Sequence, residues 1–258
     1  MKEIIENRRR GFLKKTLGLC MASAFTSKLL NAASIEKKNN KDINGFTFLF
    51  QGDSITDGNR TRNYDWNHVM GHGYQYIIAS KLWFDFPTKG LHFFNRGISG
   101  NKVTDLTSRW QKDTLELKPD VLSILIGIND LAAFIDGDKK FSVEHFENDY
   151  RLLLKNTKKE LPNIELVICE PFILPVGKVK DEWDYYSKEA GKRQKVVQRL
   201  SEEFNTIFVP FQSAFNRALS IAPPDYWIWD GIHPMPAGHE LMAREWINRV
   251  SKKLKFNE

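Results

Sequence analysis

Five short runs of apolar residues alternate with longer amphipathic stretches over most of the chain. The short runs are rich in Val, Ile, Leu and Phe, which is typical of strands that are buried on both faces of a parallel sheet. The predicted strands are residues 47–51, 91–95, 121–126, 165–170 and 206–211. The amphipathic stretches predict helices over residues 74–84, 102–116, 142–160, 184–203, 214–221 and 237–255. This alternation predicts a single three-layer α/β/α domain with a parallel five-stranded sheet and right-handed crossovers.

Four segments with unusual polar residues lie where the predicted strands end. Gly52-Asp53-Ser54 follows the first predicted strand, and the sequences NRGISGN and IGIND follow the second and the third. The sequence WDGIHP comes after the fifth predicted strand and opens the last helix. Because ligands bind outside the carboxyl ends of parallel strands, these segments predict one common site at that end of the sheet.

The first 33 residues differ from the rest of the chain in charge. They hold seven Lys or Arg and two Glu, and so carry +5 of the net charge of +6. The sequence RRGFLK, which begins at Arg9, precedes a modest apolar run, as in a bacterial twin-arginine export signal. We therefore expect residues 1–33 to be a signal segment, residues 34–45 a linker and residues 46–256 the folded domain of a periplasmic or secreted protein. A basic amphipathic helix and a lipid anchor on Cys20 are the alternatives.

Charge and composition exclude several functional classes. Beyond the first 33 residues the chain is nearly neutral, which removes the main electrostatic argument for nucleic-acid binding. No stretch of 18 or more apolar residues occurs, so we expect no stable membrane span. The two cysteines and six histidines show no zinc-binding spacing, and the sequence therefore predicts no metal and no other cofactor. The oligomeric state is left open.

Ser54 is the candidate nucleophile. A serine hydroxyl needs a base to take its proton, and His233 has a carboxylate, Asp230, three residues earlier in a loop held by Gly231 and Pro234. That spacing lets Asp230 bind one nitrogen of the imidazole while the other nitrogen faces the serine. The alternative is that Ser54 only caps a helix, and we expect Asp53 beside it to brace the turn through its backbone hydrogen bonds.

Acyl transfer also needs hydrogen-bond donors for the negative oxygen that develops on the carbonyl. We expect these donors to be the backbone N–H groups of Ser54 and Gly100 and the side-chain amide of Asn129. A side chain at Gly100 would block close approach of the backbone, which is the reason to expect glycine there.

Four further residues are candidates for substrate binding. Asp57 and Arg60 contact either the substrate or each other. Trp66 lies in a long loop rich in aromatic residues, where it would stack on a sugar ring or pin the loop. Trp229, directly before Asp230, would form the floor of the acyl site or pack in the core.

These segments resemble the conserved blocks of the SGNH, or GDSL-type, hydrolases. Ser54 matches the serine of the first block, Gly100 the glycine of the second, Asn129 the asparagine of the third, and Asp230 with His233 the acid and base of the last. The resemblance implies a flavodoxin-like fold and a serine esterase that acts without a cofactor. The sequences NRGISGNKVTDLTSRW and WDGIHPMPAGH are most similar to acetylxylan esterases among the carbohydrate esterases, which implies an acetylated polysaccharide or oligosaccharide as substrate.

Two other functions stay open at this point. The first is a lysophospholipase or thioesterase that acts on longer acyl chains. The second is a carbohydrate-binding protein that has the fold without catalysis, and the complete set of five matching residues argues against it.

Overall fold

The computed structural model describes residues 42–63 and 65–255. The predicted signal segment and most of the predicted linker lie outside these residues. The linker's last residues belong to the packed body, because Ile43 is buried in the core and the N–H of Gly45 donates to the carbonyl of Lys89. Within the described ranges no helix is both long and apolar enough to cross a membrane.

The centre of the fold is a parallel sheet of five strands in the order β2-β1-β3-β4-β5. The strands are β1 Thr47–Gly52, β2 His92–Asn95, β3 Val121–Leu125, β4 Glu165–Cys169 and β5 Ile207–Val209. The predicted fold class is confirmed, and each predicted strand overlaps one of these five, although β5 ends two residues before the predicted end at residue 211. The chain crosses from β1 to β2 on one side and then returns past β1 to β3. Connections therefore diverge at the carboxyl ends of β1 and β3, which opens a crevice there.

Nine α-helices belong to the described part of the chain. They are α1 Ser54–Asp57, α2 Tyr74–Asp85, α3 Val103–Asp113, α4 Ile128–Ile135, α5 Val143–Glu160, α6 Trp183–Glu203, α7 Phe211–Ala218, α8 Pro224–Trp227 and α9 Pro236–Leu254. The sequence pattern did not predict α1, α4 or α8. The helix predicted from residue 214 begins at Phe211, because Pro210 lacks the N–H that would extend β5 and stands at the N-cap of α7.

Two apolar clusters cover the two faces of the sheet. Phe48 and Phe50 of β1 belong to the cluster that contains α2, α7 and α9. Leu49 between them belongs to the cluster that contains α3, α5 and α6. This division follows from the alternation of side chains along a strand, so both faces of the sheet are dry. The sheet thus holds the carboxyl ends of its strands as a rigid base for the loops.

A close backbone approach joins the loop after β2 to helix α1. The side-chain amide of Asn95 donates to the backbone carbonyls of Thr56 and Met70, at 2.7 and 2.9 Å. At Gly97 a Cβ atom would lie 2.4 Å from the backbone nitrogen of Asp57. Only glycine fits between these two backbones, and the NRGISGN segment is therefore fixed relative to Ser54.

We predict that Gly97→Ala destabilises the fold by about 1–3 kcal/mol, because the added methyl group overlaps backbone atoms that cannot move away. The matched control is Gly191→Ala in α6, where an added Cβ meets nothing within 4 Å. That control should be neutral or stabilising by about 0.5–1 kcal/mol, because alanine favours a helix interior. Urea unfolding measures both changes, and an unchanged midpoint for Gly97→Ala would contradict the proposed close contact.

Candidate active site

Ser54 is the first residue of α1, directly beyond the carboxyl end of β1. Asp53 is the N-cap, and its carboxylate accepts a hydrogen bond from the N–H of Ile55 at 3.0 Å. At Gly52 a Cβ atom would lie 2.4 Å from the carbonyl oxygen of Leu125, so only glycine lets β1 turn this tightly against β3. The turn leaves Ser54 half-buried at the mouth of the crevice.

His233 approaches Ser54 from the loop between α8 and α9. Its Nε2 lies 2.7 Å from Ser54 Oγ, and its Nδ1 lies 2.8 Å from Asp230 Oδ2. The loop is held by an antiparallel bridge between Ile228 and Pro234 and by Gly231, whose φ of +95° lies in the left-handed region. The structure therefore brings the three predicted side chains into one chain of hydrogen bonds.

Asp230 is held as a carboxylate. Burial by itself would raise its pKa, but hydrogen bonds from the backbone and ring N–H groups of His233 and from the N–H of Ile232 lower the pKa below its usual value. A charged Asp230 places the proton of a neutral imidazole on Nδ1, and Nε2 is then free to accept the proton of Ser54. The imidazole is oriented as a general base.

Gly100 and Asn129 belong to the loops after β2 and β3. Gly100 has a φ of +82°, and an added Cβ would meet no protein atom within 4 Å. The left-handed backbone by itself favours glycine here, and the close approach of this backbone to a substrate stays a prediction. The amide of Asn129 donates one hydrogen bond to the carbonyl of Asn101 at 3.1 Å, which ties the two loops together and fixes the direction of the second amide N–H.

Two other carboxyl groups next to these residues are almost fully buried. Asp130 follows Asn129 and accepts a hydrogen bond from the N–H of Val103 at the start of α3. Burial raises the pKa of both Asp53 and Asp130 to about 7, and the charge of Asp130 adds to the effect at Asp53. Within the described residues, the Oδ2 atom of each has no hydrogen-bond partner. Near neutral pH these two groups are therefore partly protonated.

A cavity of about 240 Å³ opens above Ser54 and His233. Its other walls include Ile55, His72, Trp229 and His239. The ring of Trp229 stacks on the imidazole of His233 with centroids 6.3 Å apart, and 61% of its surface is exposed. Trp229 thus lines the cavity and is not packed in the core, which were the two alternatives from the sequence.

His239 is a cavity residue that the sequence analysis did not identify. Its Nδ1 accepts a hydrogen bond from the N–H of Tyr74 at 3.1 Å, which satisfies the N-terminus of α2. Burial and the nearby His72 and His233 lower its pKa to about 4, so the ring is neutral and serves as an acceptor. A histidine near the start of a helix gives no signal of this role in the sequence.

Asp57 and Arg60 are buried and bind protein atoms. The side chain of Asp57 pairs with Arg62, at 2.7 and 3.1 Å, and also accepts from the N–H of Ser99. The guanidinium of Arg60 donates to the carbonyl of Gly97 at 3.0 Å. Asp57 and Arg60 contact each other through the backbone N–H of Arg60, which donates to the Asp57 carboxylate at 3.2 Å, while the charged partner of Asp57 is Arg62. Both residues brace the loops after β1 and β2.

Trp66 does not line the cavity above Ser54. It is 74% exposed and lines a separate cavity on the other side of the same loop. Tyr64, two residues before Trp66, lies outside the described residues. Among those residues no group of three or more His, Cys, Asp or Glu side chains is arranged to hold a metal ion.

The chain was compared with the models of known protein families. Residues 50–241 match the GDSL-like lipase/acylhydrolase family. The chain belongs to this family. It is therefore a carboxylic ester hydrolase, and the family resemblance seen in the sequence is confirmed.

Individual relatives of this GDSL-like hydrolase agree with that assignment. An acetylxylan esterase from Geobacillus stearothermophilus is 34% identical over 212 residues, which are 80% of this chain and 94% of that protein. Its crystal structure has a TM-score of 0.72 at 33% identity and covers 81% of this chain and 96% of its own. The structure of a GDSL-like lipase candidate from Parabacteroides merdae has a TM-score of 0.77 at 45% identity, with the same coverage.

A shorter match is to the uncharacterized lipoprotein YqeF of Bacillus subtilis, which is 32% identical over 98 residues. These residues are 38% of this GDSL-like hydrolase and 40% of YqeF.

For this GDSL-like hydrolase we predict that Asp53→Asn changes the pH dependence of stability. The pKa of Asp53 is raised from 3.8 to about 7 on folding, so its contribution is present at low pH and lost as the pH rises through 7. Asparagine keeps the acceptor for Ile55 and cannot ionise. Between pH 5 and 8 the free energy of unfolding of the wild type should fall by about 1–3 kcal/mol more than that of the variant.

Chemical unfolding at several pH values measures this difference. The control is Asp181→Asn at an exposed position, which should leave the shape of the curve unchanged. Parallel curves for Asp53→Asn and the wild type would show that Asp53 is ionised throughout this range.

Proposed function

We propose that this enzyme removes acetyl groups from an esterified polysaccharide or oligosaccharide, with acetylated xylan as the leading candidate. The observation that carries the proposal is the chain of two hydrogen bonds from Ser54 to His233 and from His233 to Asp230, at 2.7 and 2.8 Å. The acetylxylan esterase among the relatives, which this chain matches over most of its length, supports the choice of acyl group and substrate.

In the proposed reaction Ser54 Oγ attacks the acetyl carbonyl while His233 Nε2 takes the serine proton. The oxygen of the tetrahedral intermediate accepts hydrogen bonds from the N–H groups of Ser54 and Gly100 and from the free amide N–H of Asn129. The intermediate then collapses and expels the sugar hydroxyl, which receives the proton from His233. Water, activated by His233 in turn, attacks the acetyl-enzyme and releases acetate.

The size of the cavity favours a short acyl group. Its volume of about 240 Å³ must hold both the acyl group and part of the alcohol, and Ile55, Trp229 and His239 narrow it. A long chain would stay in water and forfeit about 0.8 kcal/mol for each CH₂ group that a lipase would bury. The longer-chain hydrolase that the sequence left open is therefore the less favoured function.

Export and domain division complete the proposal. We propose that residues 1–33 direct the protein out of the cytoplasm, that residues 34–45 lead from this segment into the packed body, and that residues 46–256 carry the activity. The twin-arginine sequence that begins at Arg9 supports this, as does the partial match to a lipoprotein.

We predict that kcat/KM falls steadily from p-nitrophenyl acetate to butyrate to octanoate, because the cavity does not accommodate longer chains. Acetylated xylo-oligosaccharides should release acetate at least as efficiently as the acetate ester. Steady-state kinetics and acetate quantification give both results. Ser54→Ala, the control for background hydrolysis, should lower kcat by about 10⁶. Rising kcat/KM towards octanoate would contradict the acetylesterase function and favour a longer-chain hydrolase.

A further inference from the structure

A second cavity, of about 280 Å³, lies between the loop that joins α1 to α2 and the edge strand β2. The residues of this cavity that bear on ligand chemistry are Arg62, Trp66, Phe94 and Arg96. The joining loop is a shared wall, because Gly58 and His72 at its two ends line the cavity above Ser54. We call the second cavity the Arg96 cavity.

The charge of the Arg96 cavity is positive. The guanidinium of Arg96 lies 5.5 Å from the centroid of the Phe94 ring and, within residues 42–63 and 65–255, has no hydrogen-bond acceptor and no carboxylate partner. Arg62 is half-exposed and shares a carboxylate, that of Asp57, with the backbone N–H groups of Arg60 and Ser99. A half-buried guanidinium without a hydrogen-bonded partner, supported by an aromatic face, can donate hydrogen bonds to a bound carboxylate.

Trp66 adds a flat apolar surface to this cavity. It is 74% exposed and makes no hydrogen bond or ring contact among the described residues. An exposed tryptophan does not gain the stabilisation that burial would give it. Its large, rigid ring is free to stack on a ligand with little loss of conformational entropy. A guanidinium beside an open aromatic face fits a ring that carries a negative charge better than it fits either a bare anion or a neutral ring.

The Arg96 cavity is also connected to the candidate oxyanion site. Arg96 precedes Gly100 by four residues in the loop after β2. Arg109 of α3 donates to the backbone carbonyl of Arg96 at 2.8 Å and to the side chain of Asn101 at 2.9 Å, and Asn101 in turn orients Asn129. A ligand on Arg96 would therefore bind at the opposite end of the loop that presents Gly100.

We propose that the Arg96 cavity binds a carboxylated sugar ring, a uronic acid residue of the glycan that carries the ester. The carboxylate would pair with Arg96, and the sugar face would stack on Trp66. This inference deepens the proposed function, since it names a feature of the substrate, but binding at this cavity does not depend on ester hydrolysis. If the proposal holds, the enzyme binds glycans with uronic acid residues more tightly than neutral glycans.

The test is isothermal titration calorimetry of the full chain with methyl β-D-glucuronide, methyl β-D-xyloside, sodium acetate and inorganic phosphate. We expect the glucuronide to bind at least tenfold more tightly than the other three probes. Arg96→Gln removes the charge at a side chain that has no hydrogen-bonded or carboxylate partner to lose, and it should weaken glucuronide binding by about tenfold. Trp66→Ala, at an exposed position, should weaken it by a similar factor.

The matched control is Arg244→Gln, an exposed arginine of α9 that pairs with Glu240 and should leave glucuronide binding unchanged. The proposal is overturned if the wild type does not bind the glucuronide, or if xyloside, acetate or phosphate binds as tightly. It is also overturned if Arg96→Gln or Trp66→Ala binds like the wild type, or if Arg244→Gln loses as much affinity as Arg96→Gln. None of these outcomes uses acetate release, so failure here is distinct from failure of the esterase function.

Discussion

The hydrogen bond between Ser54 and His233 spans 179 residues of sequence and joins the end of the first strand to the loop before the last helix. For the two side chains to lie 2.7 Å apart, β1 and the loop between α8 and α9 must both be held in place by the packed body. Each partner is held from behind, the serine by the turn at Gly52 and the histidine by the carboxylate of Asp230. Because a rigid parallel sheet sets the positions of both loops, the geometry does not depend on either loop alone.

Polar groups that are buried around the site hold its loops together. The Asn95 amide and the Asp57 carboxylate bind backbone and side-chain groups of the neighbouring loops, while Asp53 and Asp130 each hold the start of a helix. Burying a polar group lowers stability unless the group is hydrogen-bonded. The Oδ2 atoms of Asp53 and Asp130 have no hydrogen-bond partner among the described residues, so their burial is destabilising. The site is thus held by interactions that a purely apolar core would not supply.

The sequence allowed the prediction of the sheet and of the hydrogen-bonded trio, and it failed where short-range patterns are ambiguous. Strands buried on both faces are continuous apolar runs, so all five were found. Helix α1 has only four residues, and α4 is a short, largely apolar segment that starts two residues after β3, so neither is readily told apart from the strand before it. Nothing in the sequence indicated the ion pair between Asp57 and Arg62, because Arg60 lies nearer in sequence and only the fold directs Arg62 towards the carboxylate.

Covalent labelling distinguishes Ser54, activated by His233, from every other serine as the nucleophile. The intact protein would be treated with diethyl p-nitrophenyl phosphate, and the modified serine would be located by peptide mass spectrometry. We expect one phosphoryl group per chain, located on Ser54, with esterase activity lost in proportion to labelling. Labelling of Ser99 in the neighbouring loop, or loss of activity while Ser54 stays unmodified, would contradict the account.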